Sequence, residues 1–206
     1  MPEIVQQINF EMAAMMDRLT QGVVQIVDER GSLGAGTIWH NDGLILTNAH
    51  VVARRTPYVV LPDGDVFEAE ILAYDRQNDL AALVIEADDL PTITLGDSRA
   101  LKPGQWVVAM GHPHGVINAI TAGVVIGIGA NLPEMQPGRD WIALNLRLRP
   151  GHSGGPLVNA VGHLVGINTM ISGPSVGFAV PVHVIKRFLK ENLGTPVTEA
   201  VAGTVV

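Results

Sequence analysis

Ser153 lies in the segment RPGHSGGPLV, where three glycines and two prolines surround a single hydroxyl. A glycine-dense turn of this kind either reverses the chain or lets the backbone come close to another group. Serine is a weak nucleophile unless a base takes its proton and a third group orients that base. The segment therefore directs attention to histidines and acids elsewhere in the chain.

A candidate base and a candidate acid each lie next to an apolar strand. His50 follows such a strand in LTNAHVV, and Asp79 leads into one in DRQNDLAALVI. An acid in that position is awkward to bury without a partner. If Asp79 accepts from Nδ1–H of His50, then Nε2 of His50 faces the Ser153 hydroxyl. The predicted chemistry is acyl transfer, in which the N–H groups of Gly151 and Ser153 stabilise an oxyanion by ~3 kcal/mol per donor.

Each segment also has a simpler interpretation when it is taken alone. His50 could be a surface or core histidine, Asp79 could cap a strand, and GHSGGP could be a plain turn. The order histidine, aspartate, serine along the chain matches one of the orders in which this triad occurs.

The elements that would position these residues are short strands separated by turn signals such as Asn41-Asp42-Gly43. Two groups of strands flank a polar connection, PTITLGDSRALKPGQ, which indicates two β-barrels. The predicted organisation is a helical arm (1–20), a first barrel (about 21–98), a second barrel (about 104–182), a helix (about 182–193) and an extended tail (194–206).

Composition excludes several classes of protein. The 206 residues are 47% hydrophobic and 16% charged, with a formal net charge of −7, which is typical of a globular protein and not of a basic nucleic-acid binder or a disordered chain. The absence of cysteine excludes disulfides and thiolate metal sites. No window offers about 18 uninterrupted apolar residues, so no membrane span is expected. No cofactor or metal is expected, because triad chemistry needs neither.

The segments GAGTIWHNDGLILTNAHVV, DRQNDLAALVI and RPGHSGGPLVNAVGHLVGINTMI closely resemble the HtrA group of chymotrypsin-fold serine proteases. The resemblance covers roughly residues 23–193. It implies an all-β fold of two perpendicular six-stranded barrels, with an N-terminal and a C-terminal helix and the triad in the cleft. It further implies endoproteolysis of unfolded or damaged proteins and assembly into a homotrimer, in which we expect the N-terminal helix to take part.

The resemblance also implies individual roles. His50 is the general base, Asp79 the orienting acid and Ser153 the nucleophile. The oxyanion hole comprises Gly151, His152 and Ser153. Substrate is expected to pair as an added strand with Ile167, Asn168 and Thr169, and Leu148 and Ile171 are expected to line the pocket for the residue before the cleaved bond. Since both pocket residues are aliphatic, cleavage after Val, Ala or Leu is expected.

The chain departs from the family pattern at several positions. His152 stands where family members commonly carry Asn. Asn145, Arg147 and Arg149 alternate in LNLRLRPGHS, so the arginines either point outward from a strand or favour acidic substrate residues. The link VDERGSLGAGT is short, and no PDZ domain is expected. Localisation is expected to be cytoplasmic if Met1 is the native start, and periplasmic or otherwise extracytoplasmic if an upstream signal was removed.

Three other interpretations stay open. The chain could be a catalytically dormant chaperone that holds extended peptides by strand addition. His112 and His114 in GHPHG could hold a metal, although a structural turn is the preferred interpretation. The tail EAVAGTVV, which ends at Val206, could dock on a neighbouring subunit, the alternative being a contact without function.

Overall fold

The computed structural model describes residues 2–53, 56–132, 137–172 and 176–194. The first sheet contains β1 (Val23–Asp28), β2 (Gly31–Ile38), β3 (Leu44–Thr47), β4 (Tyr58–Val60), β5 (Val66–Glu68), β6 (Glu70–Asp75) and β7 (Leu80–Val84). The second contains β8 (Trp106–Gly111), β9 (Ala119–Gly129), β10 (Trp141–Asn145), β11 (Pro156–Asn159), β12 (Leu164–Ser172) and β13 (Val176–Pro181). Helices are α1 (Pro2–Leu19), α2 (Ala49–Val52) and α3 (Val182–Leu193).

The second sheet is a closed barrel with strand order β10-β13-β12-β11-β8-β9, in which every neighbouring pair is antiparallel. Its interior is filled by large aliphatic side chains from opposing strands, including Ile142, Leu144 and Leu157, which are fully buried. The expected all-β fold with two barrel-like sheets and a helix near each end is therefore confirmed.

The first sheet has seven strands where six are expected, in the order β5-β4-β1-β2-β3-β7-β6. The extra strand arises at Ala69, where the chain bends between β5 and β6. The N–H of Ala69 donates to the Pro57 carbonyl at 3.0 Å; before this bend β5 pairs with β4 at one edge of the sheet, and after it β6 pairs with β7 at the other edge. Residues 66–75 thus form one bent run that serves both edges.

A further apolar cluster joins the two sheets and both long helices. It includes Leu46 of β3, Met110 of β8 and Phe178 of β13, together with Met16 of α1 and Phe188 of α3. The two barrels therefore share a packed core, which holds loops from one barrel against strands of the other.

The segment between the barrels is also fixed to the second one. Leu95 pairs with Leu164 in a parallel bridge, and the N–H of Gly96 donates to the Leu164 carbonyl at 2.8 Å. The predicted polar connection is thus partly strand-like. The expected tail beyond Gly194, with Val206, lies outside the described residues.

Candidate active site

His50 lies in the short helix α2, directly after β3 and Asn48. Its ring Nδ1 is 2.8 Å from Oδ2 and 3.0 Å from Oδ1 of Asp79. The backbone N–H of His50 donates to the same Oδ1 at 3.0 Å. The carboxylate therefore contacts both the ring and the main chain of His50, which fixes Nδ1 as the donor and leaves Nε2 as the free basic nitrogen.

Asp79 precedes β7 in a left-handed backbone conformation, with φ of 54°. Its carbonyl accepts from Nδ2 of Asn48 at 2.9 Å, and its side chain is largely buried. The Thr169 hydroxyl donates a short hydrogen bond to Oδ2 of Asp79. The acid is thus satisfied by three donors, and the unusual backbone is held by Asn48.

Ser153 belongs to the loop before β11, and its hydroxyl donates to the carbonyl of Thr169 at 2.8 Å. Thr169 therefore contacts two of the three predicted catalytic residues: its side chain contacts Asp79, and its backbone carbonyl contacts Ser153. In this conformation the serine proton is directed to Thr169 and not to His50. The structure brings all three predicted residues to one site, with Thr169 as the connection.

The serine loop is anchored on the first barrel. The N–H of Ala35 in β2 donates to the Ser153 carbonyl at 2.8 Å, and the Thr37 hydroxyl donates to the Gly154 carbonyl at 3.1 Å. Gly154 has φ of 85°, and a Cβ there would lie 1.9 Å from the Ala35 carbonyl oxygen. Only glycine permits this approach of the loop to β2.

Residues Arg149 to His152 form a type II turn. The N–H of His152 donates to the Arg149 carbonyl at 2.9 Å, and Gly151 at the third position has φ of 104°. The Gly151 carbonyl accepts from the N–H of His112 at 2.8 Å. Within the described part of the chain, the N–H groups of Gly151 and Ser153 have no acceptor, so both are available to a ligand oxygen.

His112 and His152 are buried, and burial lowers the pKa of both imidazoles. For His112 the pKa falls from 6.5 to about 4, although the Val24 carbonyl opposes the shift. Nδ1 of His112 accepts from the N–H of Asn118 at 3.2 Å, so this residue supports the loop as the structural interpretation predicts. Among the described residues, no group of three or more His, Asp or Glu is placed to hold a metal ion.

The predicted substrate strand is only partly free. The N–H of Asn168 donates to the Gly155 carbonyl, and the Asn168 carbonyl accepts from the N–H of Gly154, both at 2.9 Å. The backbone of Ile167 is also paired, with Pro156 on one side and Val180 on the other. Thr169 lies at a register break in β12. On the side of β11, the accessible edge of β12 therefore begins at Thr169.

The two predicted pocket residues lie on neighbouring segments. The Leu148 side chain is buried, with its Cδ1 3.0 Å from the position that a Cβ on Gly177 would take. The backbone of Ile171 pairs with that of Gly177, while the Ile171 side chain lies outside the described residues. Arg147 and Arg149 are exposed and alternate with buried Leu146 and Leu148, as in a strand whose polar side faces solvent.

Sequence reasoning missed several contributors to the site. Asn48 supports the Asp79 backbone, and the Thr169 side chain holds the carboxylate. The guanidinium of Arg139 donates to the carbonyl of Gln77, two residues before Asp79. Of these residues, only Asn48 could have been predicted from the sequence. It is a polar residue between an apolar strand and His50, and a buried polar side chain at such a position needs a hydrogen-bond partner.

Comparisons with known proteins agree with this geometry. The family described as trypsin-like peptidase domain matches residues 34–167. A probable periplasmic serine endoprotease, DegP-like, of Halomonas elongata is 41% identical over 194 residues, which cover 89% of this chain and 40% of the relative. A protein of the same name from Pseudomonas fulva is 44% identical over 162 residues, covering 76% of this chain and 34% of the relative.

Among solved structures, the HtrA-type protease AlgW with a decapeptide has a TM-score of 0.79 at 30% identity, covering 86% of this chain and 66% of that one. The chain therefore belongs to the trypsin-like peptidase family, and its relatives are DegP-like and HtrA-type proteases. It spans 40% or less of the length of these two curated relatives. None of the described helices has both the length and the apolar character to cross a bilayer.

Proposed function

We propose that this chain is a serine endopeptidase in which His50 is the general base, Asp79 the orienting acid and Ser153 the nucleophile. The observation that carries the proposal is the pair of hydrogen bonds from His50 to the Asp79 carboxylate. Nδ1 of the ring is 2.8 Å from Oδ2, and the main-chain N–H donates to Oδ1 at 3.0 Å. This arrangement fixes the tautomer in which Nε2 can accept a proton, which is the requirement of a general base.

Substrate binding begins at the accessible edge of β12. An extended peptide pairing there offers an N–H to the Thr169 carbonyl, which the Ser153 hydroxyl occupies in the structure. Displaced from that carbonyl, the hydroxyl turns to Nε2 of His50. Of the predicted strand residues, Thr169 is the one we retain as the start of pairing, because the backbone of Ile167 and Asn168 is already paired.

The reaction then follows from the donors around the loop. Nε2 of His50 takes the hydroxyl proton as Oγ of Ser153 attacks the peptide carbonyl. The oxyanion accepts from the N–H groups of Gly151 and Ser153, which the type II turn leaves available. His50 returns the proton to the leaving amine, and an acyl-enzyme forms. Water, deprotonated by His50, then releases the acid and restores Ser153.

The preferred substrates are unfolded or extended polypeptides cut after small or medium apolar residues, in protein quality control. Strand pairing requires an extended chain, and folded proteins seldom expose one. The aliphatic Leu148 and Ile171 support apolar preference, with Leu148 already buried against Gly177. Because similar proteins are named as periplasmic endoproteases, we also propose that the chain acts outside the cytoplasm.

The test is hydrolysis of unfolded casein by the wild type and by Ser153→Ala, with cleavage sites identified by mass spectrometry. We expect the variant to lose about 10⁶-fold in kcat, as when the nucleophile of a triad is removed. Cuts after Val, Ala or Leu support the pocket assignment. Cuts after other residues contradict the roles of Leu148 and Ile171, and equal rates contradict the role of Ser153.

A second candidate function, a dormant peptide-binding chaperone, is favoured by one observation. The Ser153 hydroxyl is bonded to Thr169 and not to His50. If the hydroxyl stays there when peptide binds, strand addition proceeds without acylation. Suppression of aggregation of an unfolded protein by the wild type, equal to that by Ser153→Ala and without cleavage products, identifies this function.

A further inference from the structure

We propose that the His152 side chain is a positioning residue, which holds the turn of residues 149–152 in the form that presents the Gly151 amide, and that it does so only while its Nδ1 is unprotonated. This inference rests on the proposed peptidase function, because the turn forms part of the proposed oxyanion hole. The preceding sections use only the backbone of His152; the role assigned here belongs to its ring.

The ring closes a second hydrogen bond across the turn. The N–H of Arg149 donates to Nδ1 of His152 at 3.1 Å, and the N–H of His152 donates to the Arg149 carbonyl at 2.9 Å. Since a backbone N–H can only donate, this contact requires the tautomer in which Nδ1 accepts and the proton lies on Nε2, which is buried without a hydrogen-bond partner among the described residues. The two bonds join the first and last residues of the turn and place Gly151 between them.

Protonation reverses the contact of Nδ1. The Arg149 carbonyl is 3.2 Å from Nδ1, only slightly farther than the Arg149 N–H. A protonated Nδ1 repels that N–H and donates to the carbonyl instead, which also accepts from the N–H of His152. The bond that braces the turn, from the Arg149 N–H to the ring, is thus lost.

The groups that face His152 oppose a positive charge on the ring. They are Arg149 on its own turn and His112 and His114 on the segment that follows β8. The ring is buried, and burial is the largest influence that lowers the pKa of His152. The positive charges of Arg149 and His114 lower this pKa further, whereas a hydrogen bond to the Arg149 backbone raises it. The ring is therefore neutral and the turn braced at neutral pH, and the brace is lost as pH falls through the lowered pKa.

The opposite side of the turn is held by main-chain groups, which do not themselves titrate. The N–H of His112 donates to the Gly151 carbonyl at 2.8 Å, and a Cβ on Gly151 would lie 2.5 Å from Cα of Pro113. This packing fixes the peptide after Gly151, whereas the His152 ring fixes the segment before it. Loss of the ring contact therefore releases the Arg149–Gly151 part of the turn, which carries the Gly151 amide.

His152→Asn and His152→Leu form a matched pair of variants. Oδ1 of Asn is as many bonds from Cα as Nδ1 of His, so Asn can accept from the Arg149 N–H but does not titrate. Leu fills a similar volume without an acceptor. We expect His152→Asn to keep kcat within about threefold of wild type at neutral pH, and His152→Leu to lose about 10²-fold in kcat, the order of one oxyanion donor, with KM little changed.

The pH profile separates positioning from packing. Because His50 is the same in both proteins, the ratio of kcat/KM between wild type and His152→Asn removes the contribution of His50 and reports on residue 152 and the His112 coupled to it. We expect the wild type to lose activity more steeply than His152→Asn on acidification. Parallel profiles, or a Leu variant as active as the Asn variant, overturn the proposal.

A measurement that needs no turnover tests the proposal even if the protein is inactive or a His152 variant does not fold. Nitrogen NMR of labelled imidazoles in the Ser153→Ala protein reports which ring nitrogen of His152 is protonated. We expect an unprotonated Nδ1 at neutral pH, together with a shift of the Arg149 amide when the ring titrates. A protonated Nδ1 at neutral pH overturns the inference, whereas equal casein hydrolysis by wild type and Ser153→Ala overturns only the proposed function.

Discussion

At the scale of single residues, Asp79 organises the candidate site. Its carboxylate accepts from the ring and the N–H of His50 and from the Thr169 hydroxyl, while its backbone stays in the left-handed region with φ of 54°. Aspartate and asparagine tolerate this conformation better than most residues. The position therefore combines a chemical requirement with a backbone requirement, and the two can be tested separately.

Asp79→Asn tests the chemical requirement alone. We expect kcat to fall about 10⁴-fold, because an amide cannot hold His50 in the correct tautomer, while the fold is retained. Asp79→Ala also loses the residue type suited to the backbone and should be less stable by about 1 kcal/mol than Asp79→Asn. Peptide hydrolysis and urea unfolding measure the two effects. An Asn variant that keeps wild-type kcat contradicts the role of Asp79.

His112 makes folding stability depend on pH. Its folded pKa is about 4 against 6.5 in an unfolded chain, so the unfolded state binds more protons as pH falls between these values. Stability should decrease by about 3 kcal/mol from neutral pH to below pH 4 because of this one group. His112→Asn retains an acceptor for the Asn118 N–H and should lack this contribution in urea unfolding. The same pH dependence in both proteins would falsify the assignment.

At the scale of elements, the contact between β2 and the serine loop positions the nucleophile. Ala35 and Thr37 of β2 donate to the carbonyls of Ser153 and Gly154, so a strand of the first barrel fixes a loop of the second. The Thr37 side chain is fully buried, and its hydroxyl replaces water at the Gly154 carbonyl. The geometry of Ser153 thus depends on packing between the barrels.

Thr37→Val keeps the shape of this contact and removes its hydroxyl. We expect the free energy of unfolding to fall by about 1–3 kcal/mol, because the Gly154 carbonyl is left buried without this donor, and kcat to fall with it. Thr37→Ser keeps the donor and serves as the control, with kcat near the wild-type value. If the Val and Ser variants have equal kcat, the hydrogen bond does not position Ser153.

The sequence predicted the elements better than their connections. Short segments separated by turn signals predicted the strands, and the order of His50, Asp79 and Ser153 predicted which loops would meet. The bend at Ala69 was not predicted, because DVFEAEILAY has one unbroken strand pattern. The pairing that occupies both sides of Asn168 was missed because register depends on contacts between distant segments.

At the scale of the whole molecule, a hydrogen-bonded set of serine, histidine and aspartate outside the candidate site joins the connection between the barrels to α3. The Ser98 hydroxyl is 2.9 Å from Nδ1 of His183, and Nε2 of His183 is 3.2 Å from Oδ2 of Asp140. The N–H of His183 donates to Ser98 at 3.1 Å. Ser98 is 1% exposed, so no substrate reaches it, and the set acts as a structural tie.

The first half of α1 leaves an apolar face exposed, comprising Ile4, Val5, Ile8 and Met12, which lie within about 100° of one another around the helix axis. Only the end of the helix packs on the barrels, through residues such as Met16. An exposed face of this size favours association, which agrees with the trimer expected from the family resemblance. Assembly remains a proposal for this chain.

Ile8→Glu tests that proposal, because it places a charge in the middle of the face, at a side chain that is 53% exposed. We expect the wild type to sediment as a trimer and the variant to dissociate at equal concentration, since a buried carboxylate without a partner is strongly unfavourable. Gln6→Glu adds the same charge at an exposed polar position of α1 and is the control. A monomeric wild type, or trimers in all three proteins, contradicts the role of α1.

The central claim, that Ser153 is a nucleophile activated by His50 and Asp79, is tested most directly by labelling with a fluorophosphonate. This reagent forms a covalent bond to an activated serine oxygen and needs no assumption about the natural substrate. We expect one adduct, located on Ser153 by mass spectrometry, and labelling slowed by orders of magnitude in His50→Ala. Ser98 serves as the internal control, because its hydroxyl is buried. A folded wild type in which Ser153 stays unlabelled, or labels equally fast without His50, contradicts the account.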